Sequence, residues 1–389
     1  MSRGDDYTRV ARLFSHTRRN FSNEGQCACA GSSMSKTLSA WLHITDKCNL
    51  RCDYCYLPHV HANMPVEIGY AAIQATVRSA LIHHYPQIKL KYAGGEPLLN
   101  FSLITELHCY AQYLTKQHGL TLEGVVLSNA TLLNSEMLAQ LQALDLRLMI
   151  SLDGLGIAHD QQRSYANGCG SVDKVIHGIE LAMAHGLVPA ISITVSGRNA
   201  AHLSEVVAWI LKRDLPFSFN FYRENDLSSS FDDLKLEEDK IIAGMLAAYK
   251  VIEENLSKRS LLTSLVDRVN LAEPHLYSCN TGSAYLVFDH QGQISKCQMQ
   301  MDKPVAVLPI KDPLALIRAD QTGIQNLSVL EKEECCFCEW KDWCAGGCPL
   351  DAYRATGRYN VHSPNCVIYK ALCPEVIRLE KLRTSQKLS

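Results

Sequence analysis

Six short apolar runs punctuate residues 39–225: Ala40–Thr45, Ile88–Tyr92, Gly124–Leu127, Arg147–Leu152, Ala190–Val195 and Phe217–Tyr222. Between them, near 66–84, 101–118, 135–144, 172–185 and 201–213, apolar residues recur every three or four positions, the period of a helix with one buried face. Leu103, Ile104, Leu107 and Tyr110, continued by Leu114, trace one such face. Regular strand–helix alternation predicts parallel strands with right-handed crossovers and helices covering the sheet. Six units predict an α/β fold, an open, partial (β/α)6 barrel, with functional loops after the C-terminal ends of its strands.

The rhythm then changes. Ser228-Ser229-Ser230 opens a polar loop, and Leu236–Glu254 reads as a helix. From Cys279 onward, cysteines, glycines and tryptophans punctuate short segments, and a region so poor in core periodicity is expected to need metal to fold. A final helix is predicted over Pro374–Leu382. The expected organisation is an arm over 1–37, the barrel over 38–225, a bridging helical segment over 226–275, a cysteine-rich domain over 276–373 and a C-terminal helix and tail over 374–389.

Composition removes several function classes. Lys and Arg total 38 against 40 Asp and Glu, a net charge of −2, so the basic field that nucleic-acid binding needs is missing and no such partner is expected. No apolar run reaches the roughly 18 residues of a membrane span, and Met1–Asp6 carries no apolar signal region, so a cytoplasmic location is the default expectation. In such a chain 16 cysteines read as ligands or catalysts rather than staples. They gather near residue 50 and again from Cys279 onward, with none between Cys169 and Cys279, which predicts two metal-binding regions.

Cys48, Cys52 and Cys55 form C-x3-C-x2-C directly after the first strand run. Iron–sulfur clusters ordinarily take four cysteines, so three thiolates on one loop leave a [4Fe–4S] cube with one open iron. Zinc or three incidental core cysteines are the alternatives, but zinc needs a completed tetrahedron and nothing nearby supplies it. With Tyr54 in the aromatic slot, the run resembles the C-x3-C-x-aromatic-C signature of the radical S-adenosylmethionine (SAM) superfamily. The resemblance implies that SAM chelates the open iron and is cleaved by one electron to a 5′-deoxyadenosyl radical, which takes a hydrogen atom from the substrate. Gly94-Gly95-Glu96-Pro97, after the second run, resembles the GGEP motif that holds the SAM amino group, and Ser128-Asn129 occupies the place of a TNG-like motif. Ser151-Leu152-Asp153-Gly154 ends the fourth run, with His159-Asp160 and Arg163 following. In the peptide- and sulfatase-modifying branch the matching serine contacts the SAM ribose and the matching arginine its carboxylate. For each of these polar residues a turn or cap is the plain alternative, and for Asp153 a catalytic role is a further candidate.

The C-terminal spacing is C-x12-G-x4-C over Cys279, Gly292 and Cys297, then Cys335-x2-Cys338-x5-Cys344-x3-Cys348, then Cys366. It resembles the seven-cysteine SPASM pattern; a zinc ribbon is the alternative. The resemblance implies an outer [4Fe–4S] cluster on Cys335, Cys338, Cys344 and Cys366. An inner one falls to Cys279, Cys297 and Cys348, making three clusters in all. The inner cube lacks one protein ligand, leaving water, a substrate side chain or a spare cysteine such as Cys336, Cys373, Cys27 or Cys29. Cys109 reads as a buried small hydrophobe, Cys336 as an alternative ligand or a neighbour of Cys335, and Cys169 as a candidate hydrogen-atom donor on a glycine-flanked loop.

SPASM relatives mostly modify ribosomally made peptides or proteins. In the sulfatase-maturing branch an aspartate base follows the cysteine matching Cys297; here Gln298 stands there and cannot take a proton at neutral pH. The expected function is therefore a peptide maturase that makes a crosslink, an oxidation or a backbone excision, with sulfatase maturation second and a non-catalytic metal-stabilised binding protein third. Expected partners are a precursor peptide and an external electron donor such as flavodoxin or ferredoxin. Residues 1–37 are too few for a winged-helix module, so leader binding is expected from a separate recognition protein or from the barrel rim.

Overall fold

A computed structural model describes residues 36–386. Each apolar run is a strand: β1 (Thr37–Thr45), β3 (Gln87–Gly94), β4 (Thr121–Ser128), β5 (Leu146–Ser151), β7 (Ala190–Val195) and β8 (Phe217–Phe221). They pair in parallel in that order. The five amphipathic stretches are helices α1 (Val66–Ile82), α2 (Phe101–Gln117), α3 (Ser135–Ala143), α4 (Val172–Ala184) and α5 (Leu203–Leu211). A small antiparallel pair, β2 (Leu50–Cys52) with β6 (Arg163–Tyr165), stands apart from this sheet.

Alternation along β1 separates two environments. Leu38, Ala40, Leu42 and Ile44 join the main core with Ile73, Leu103 and Leu107 of the helices, while Trp41 packs on the other face with Ala93, Tyr285 and Val287. The second group shows that the sheet does not stop at β1. Strand β9 (Tyr285–Phe288) adds in parallel to its free edge, followed by antiparallel β10 (Gln293–Ser295) and β11 (Ala306–Val307). Part of the cysteine-rich region thus belongs to the barrel's own sheet, and the described residues form one compact unit.

After β8 come α6 (Glu238–Glu254), the short α7 (Pro313–Ala319), α8 (Pro349–Thr356) and α9 (Cys366–Ser385). The last of these corrects the sequence reading: Pro374 lies inside the helix instead of opening it. Ile368, Leu372, Val376 and Leu379 form a continuous buried stripe across the proline, which holds the helix together. Cys109 is also corrected. It is exposed on α2, because the buried face runs through Ile104, Leu107, His108 and Ala111 and turns it outward. Among the described residues no helix is long and apolar enough to cross a membrane.

Candidate active site

Three cysteines follow the C-terminal end of β1. The chain turns after Thr45, and β2 pairs with β6 in a register that sets Cys52 opposite Arg163. The Leu50 amide donates to Cys48 Sγ at 3.4 Å, and the Cys55 amide to the Cys52 carbonyl at 2.9 Å. Asp53, between the thiols, is held by Arg198 at 2.5 Å, which also grips Asp233 at 2.7 Å. Burial pushes the Cys48 thiol up to about 11 and Cys52 up to about 12, so a bound cation is needed to make them thiolates at neutral pH.

The glycines of Gly94-Gly95-Glu96-Pro97 have a local reason. A Cβ at Gly94 would meet the Thr45 carbonyl oxygen at 2.2 Å, and one at Gly95 the Lys47 carbonyl oxygen at 2.3 Å. The Gly95 amide donates to Thr45 O at 2.7 Å and the Glu96 amide to Lys47 O at 2.8 Å, so the motif clamps the stem of the cysteine loop. The Glu96 carboxylate is fully buried. It accepts from the Leu98 amide at 3.1 Å, Ser128 Oγ at 2.8 Å and the Asn129 amide at 2.7 Å. Here it braces the ends of β3 and β4, while Pro97 opens the single turn Pro97–Asn100.

Arg163 likewise has protein partners. It donates to the Tyr54 hydroxyl and lies 3.7 Å from Asp153, to which Tyr54 donates at 2.6 Å. Asp153 has no exposed surface and also accepts from the Thr194 amide at 2.7 Å. It is a structural hub rather than a group facing a substrate. His159 accepts from the Asp153 amide and meets Ser171 Oγ at 3.1 Å.

These pieces surround a cavity of about 270 Å³ at the strand ends. Cys48, Cys52, Cys55 and Tyr54 line it, as do Gly94, Gly95, Ser128, Asn129, Ser151 and Arg163. Glu96, Pro97 and Asp153 stand behind that wall, and Cys169 is exposed on its loop outside it. The sequence reading missed Trp41, Thr194 and Asn220, inward positions of β1, β7 and β8 that strand alternation alone would have marked. It also missed Arg223 and Met299 on the cavity wall. No periodic pattern singles these two out.

Residues 42–210 match the family described as the Radical SAM superfamily. These residues are a radical SAM domain. An iron–sulfur cluster and SAM are the cofactors expected with this family. The chain is 23% identical over 369 residues to Fe-coproporphyrin III synthase of Methanosarcina barkeri, covering 86% of this chain and 88% of that one. Among solved structures it resembles anSMEcpe with bound AdoMet and Cp18Cys peptide (18% identity, 89% and 99% coverage, TM-score 0.68). It also resembles Streptococcus suis SuiB bound to precursor peptide SuiA (14% identity, 93% and 87% coverage, TM-score 0.57). At these identities the structural likeness establishes the fold: a partial (β/α)6 radical SAM barrel followed by a cysteine-rich region of SPASM type.

In that C-terminal region a pocket is lined by Cys335, Cys338, Cys344 and Cys366, a complete four-thiol set. Four thiols lining one pocket match the ligand number of a [4Fe–4S] cube. Cys373 is buried beside this set, among Cys344, Cys338 and Cys366, and Cys336 neighbours Cys335. Both spare thiols thus lie beside the outer set; Cys27 and Cys29 lie outside the described residues.

Cys297 and Cys348 pack in one cluster with Met299, and Cys279 lies near enough to raise the pKa of both. Burial is the larger cause and pushes Cys297 up to about 12. Cys297 follows the β9–β10 hairpin, and Cys348 caps α8. Arg223 donates to Cys348 Sγ at 3.4 Å while pairing with Asp267 at 2.5 Å. Gln298 accepts from the Tyr285 hydroxyl at 3.0 Å.

Proposed function

We propose that this protein oxidatively modifies a ribosomally made peptide, using three [4Fe–4S] clusters, on Cys48/Cys52/Cys55, on Cys279/Cys297/Cys348 and on Cys335/Cys338/Cys344/Cys366. One observation carries the reading. The cavity bounded by the open cysteine triad is walled elsewhere by Arg223 and Met299, the residues that touch the inner thiols. A substrate held there meets the radical source on one side and an electron acceptor on the other, the arrangement an oxidation requires. When bound, the cluster and SAM supply a 5′-deoxyadenosyl radical that removes one hydrogen atom. The chain's part is to seat SAM against Gly94, Gly95, Ser128, Asn129 and Ser151, with Arg163 and Tyr54 on the same cavity wall. The two peptide-bound structures of the same fold support a peptide in this cavity.

Formylglycine formation is disfavoured because Gln298 is an amide and its oxygen is already engaged by Tyr285. The test is anaerobic incubation of the reconstituted protein with SAM, a reductant such as flavodoxin or ferredoxin, and short precursor peptides encoded beside its gene. The expected result is 5′-deoxyadenosine released in step with a peptide that has lost hydrogen. A sulfatase peptide turned over in preference to every precursor would overturn the reading.

A further inference from the structure

Two buried cations near the inner thiols are matched by carboxylates: Arg223 by Asp267 and Asp351, and Lys296 by Asp320. Lys332, just before the outer thiols, is not. It is 1% exposed, and among the described residues it forms no ion pair with a carboxylate. Its ammonium has three protons to donate. Among the described residues it makes one hydrogen bond, to the Ala345 carbonyl at 2.8 Å. A buried charge without a counter-charge is costly, so something other than a carboxylate has to balance this one.

The turn that Lys332 binds fixes where its charge lies. Cys344-Ala345-Gly346-Gly347-Cys348 runs from a thiol of the outer set to one of the inner set. Ala345, Gly346 and Gly347 all hold a left-handed backbone, with φ of 49°, 76° and 70°. Each carbonyl of the bend is engaged: that of Cys344 by the Gly347 amide at 3.1 Å, that of Gly346 by the Ser363 amide at 3.0 Å, and that of Ala345 by Lys332. A Cβ on Gly346 would lie 2.8 Å from Lys332 Nζ, and Gly346 itself lines the four-thiol pocket. The ammonium therefore stands against the pocket wall at Gly346. At the other end of the lysine, its carbonyl accepts from the Cys336 amide at 3.2 Å, while Ala345 packs with Cys335 and Val329. Electrostatics agree with this geometry: burial lowers the lysine's pKa, and Cys335, then Cys344, raise it.

We propose that Lys332 is a positioning residue for electron flow, whose buried positive charge raises the reduction potential of the outer cluster. The inference rests on the assignment of a [4Fe–4S] cluster to Cys335, Cys338, Cys344 and Cys366. Reduction adds one electron, and so one negative charge, to a four-thiolate cluster, and no bond forms or breaks. A fixed cation in the low-dielectric interior lowers the energy of that added charge. An outer cluster biased in this way takes the electron that peptide oxidation leaves on the inner one.

An EPR-monitored potentiometric titration, with dithionite as the reductant, tests this without substrate or turnover. It uses the anaerobically reconstituted full chain, and the outer signal is the one that Cys366→Ala removes. Lys332→Met should move the outer cluster at least about tenfold toward its oxidised state, about 59 mV more negative, with iron content unchanged. Lys332→Arg keeps the charge and should keep the potential. Where Lys332→Met does not load its clusters, Lys332→Gln, which can still donate to Ala345, should show the same shift. An unmoved potential in a loaded neutral variant would overturn the proposal. So would an equal shift in Lys332→Arg, which would trace the effect to packing. Loss of about four irons from both neutral variants would make Lys332 a pin of the turn and overturn it as well. Wild type without any signal that depends on Cys366 would instead sink the outer-cluster assignment, and the proposal with it.

Discussion

Glu96 offers the sharpest test of how this site is built. The motif resemblance gives its carboxylate to the SAM ammonium, whereas the structure spends both oxygens on Leu98, Ser128 and Asn129. Glu96→Gln keeps the volume and one oxygen but turns the other acceptor into a donor. Where Oε2 now accepts from the Asn129 amide at 2.7 Å, an amide nitrogen would face an N–H. One hydrogen bond to a buried charge is lost and one buried N–H is orphaned, a cost of about 2–3 kcal/mol. That is a large share of the roughly 5–15 kcal/mol that holds an ordinary domain together. Anaerobic urea unfolding should show the loss as a lower midpoint with unchanged slope. SAM affinity should fall only in part, because Asn129 shifts while the triad thiols stay. Unchanged stability together with abolished SAM binding would refute the brace and restore Glu96 as a direct ligand.

Other outcomes follow from the same geometry. Replacing Cys48, Cys52 and Cys55 together by Ala should lower iron from about twelve to about eight per chain and end SAM cleavage, as three four-iron cubes require; zinc in place of iron and sulfide would refute the assignment. Cys373→Ala should leave the outer cluster's iron intact, since that thiol lies beside the four-thiol cavity without lining it; loss of about four irons would make it a ligand. Arg198→Ala frees Asp53, so the triad's iron should pass to a chelator faster while SAM affinity of the loaded fraction holds; unchanged release would mean that the loop is fixed by β2–β6 alone. His159 titrates near 3 because burial, then Arg163, disfavours its charged form. Its folded pKa lies below the unfolded value, so its contribution is full above about pH 6.5 and shrinks as pH falls, by about 2 kcal/mol at pH 5. The stability difference between wild type and His159→Gln, taken at both pH values so that cluster lability common to both cancels, should narrow by that amount, and a constant difference would refute it.

The barrel was legible because its signals are local. Six apolar runs and five helical stretches each announce themselves within about a dozen residues, and the observed helix starts match to within two positions. The outer thiol set was legible for another reason: the family resemblance assigns Cys335, Cys338, Cys344 and Cys366 to one cluster, and the four line one cavity. What escaped was the direction in which side chains point. Nothing in the letters Gly-Gly-Glu-Pro says that Glu96 turns away from the cavity, and Lys332 sits where no period marks a buried face. Pro374 misled because proline is favoured in a helix's first turn, yet four buried apolar residues, two on either side of it, outweigh its missing N–H.

Strand β9 was the least readable element and has the largest consequence. Its four residues are too short for alternation to speak, and its partner β1 lies some 240 positions earlier in the chain. Yet β1 carries the Cys48 loop at its end and β9 along its edge, so one ladder of hydrogen bonds governs both the radical site and the approach to the inner thiols. Ser39 pairs with Tyr285 and Trp41 with Val287, which sets the Tyr285 ring against Lys91 and its hydroxyl against Gln298. A slip of one residue would turn Tyr285 to the opposite face and take the Cys297 hairpin with it. The parallel pairing of these two short strands is therefore what makes the cysteine-rich region part of the cavity instead of an appendage to it.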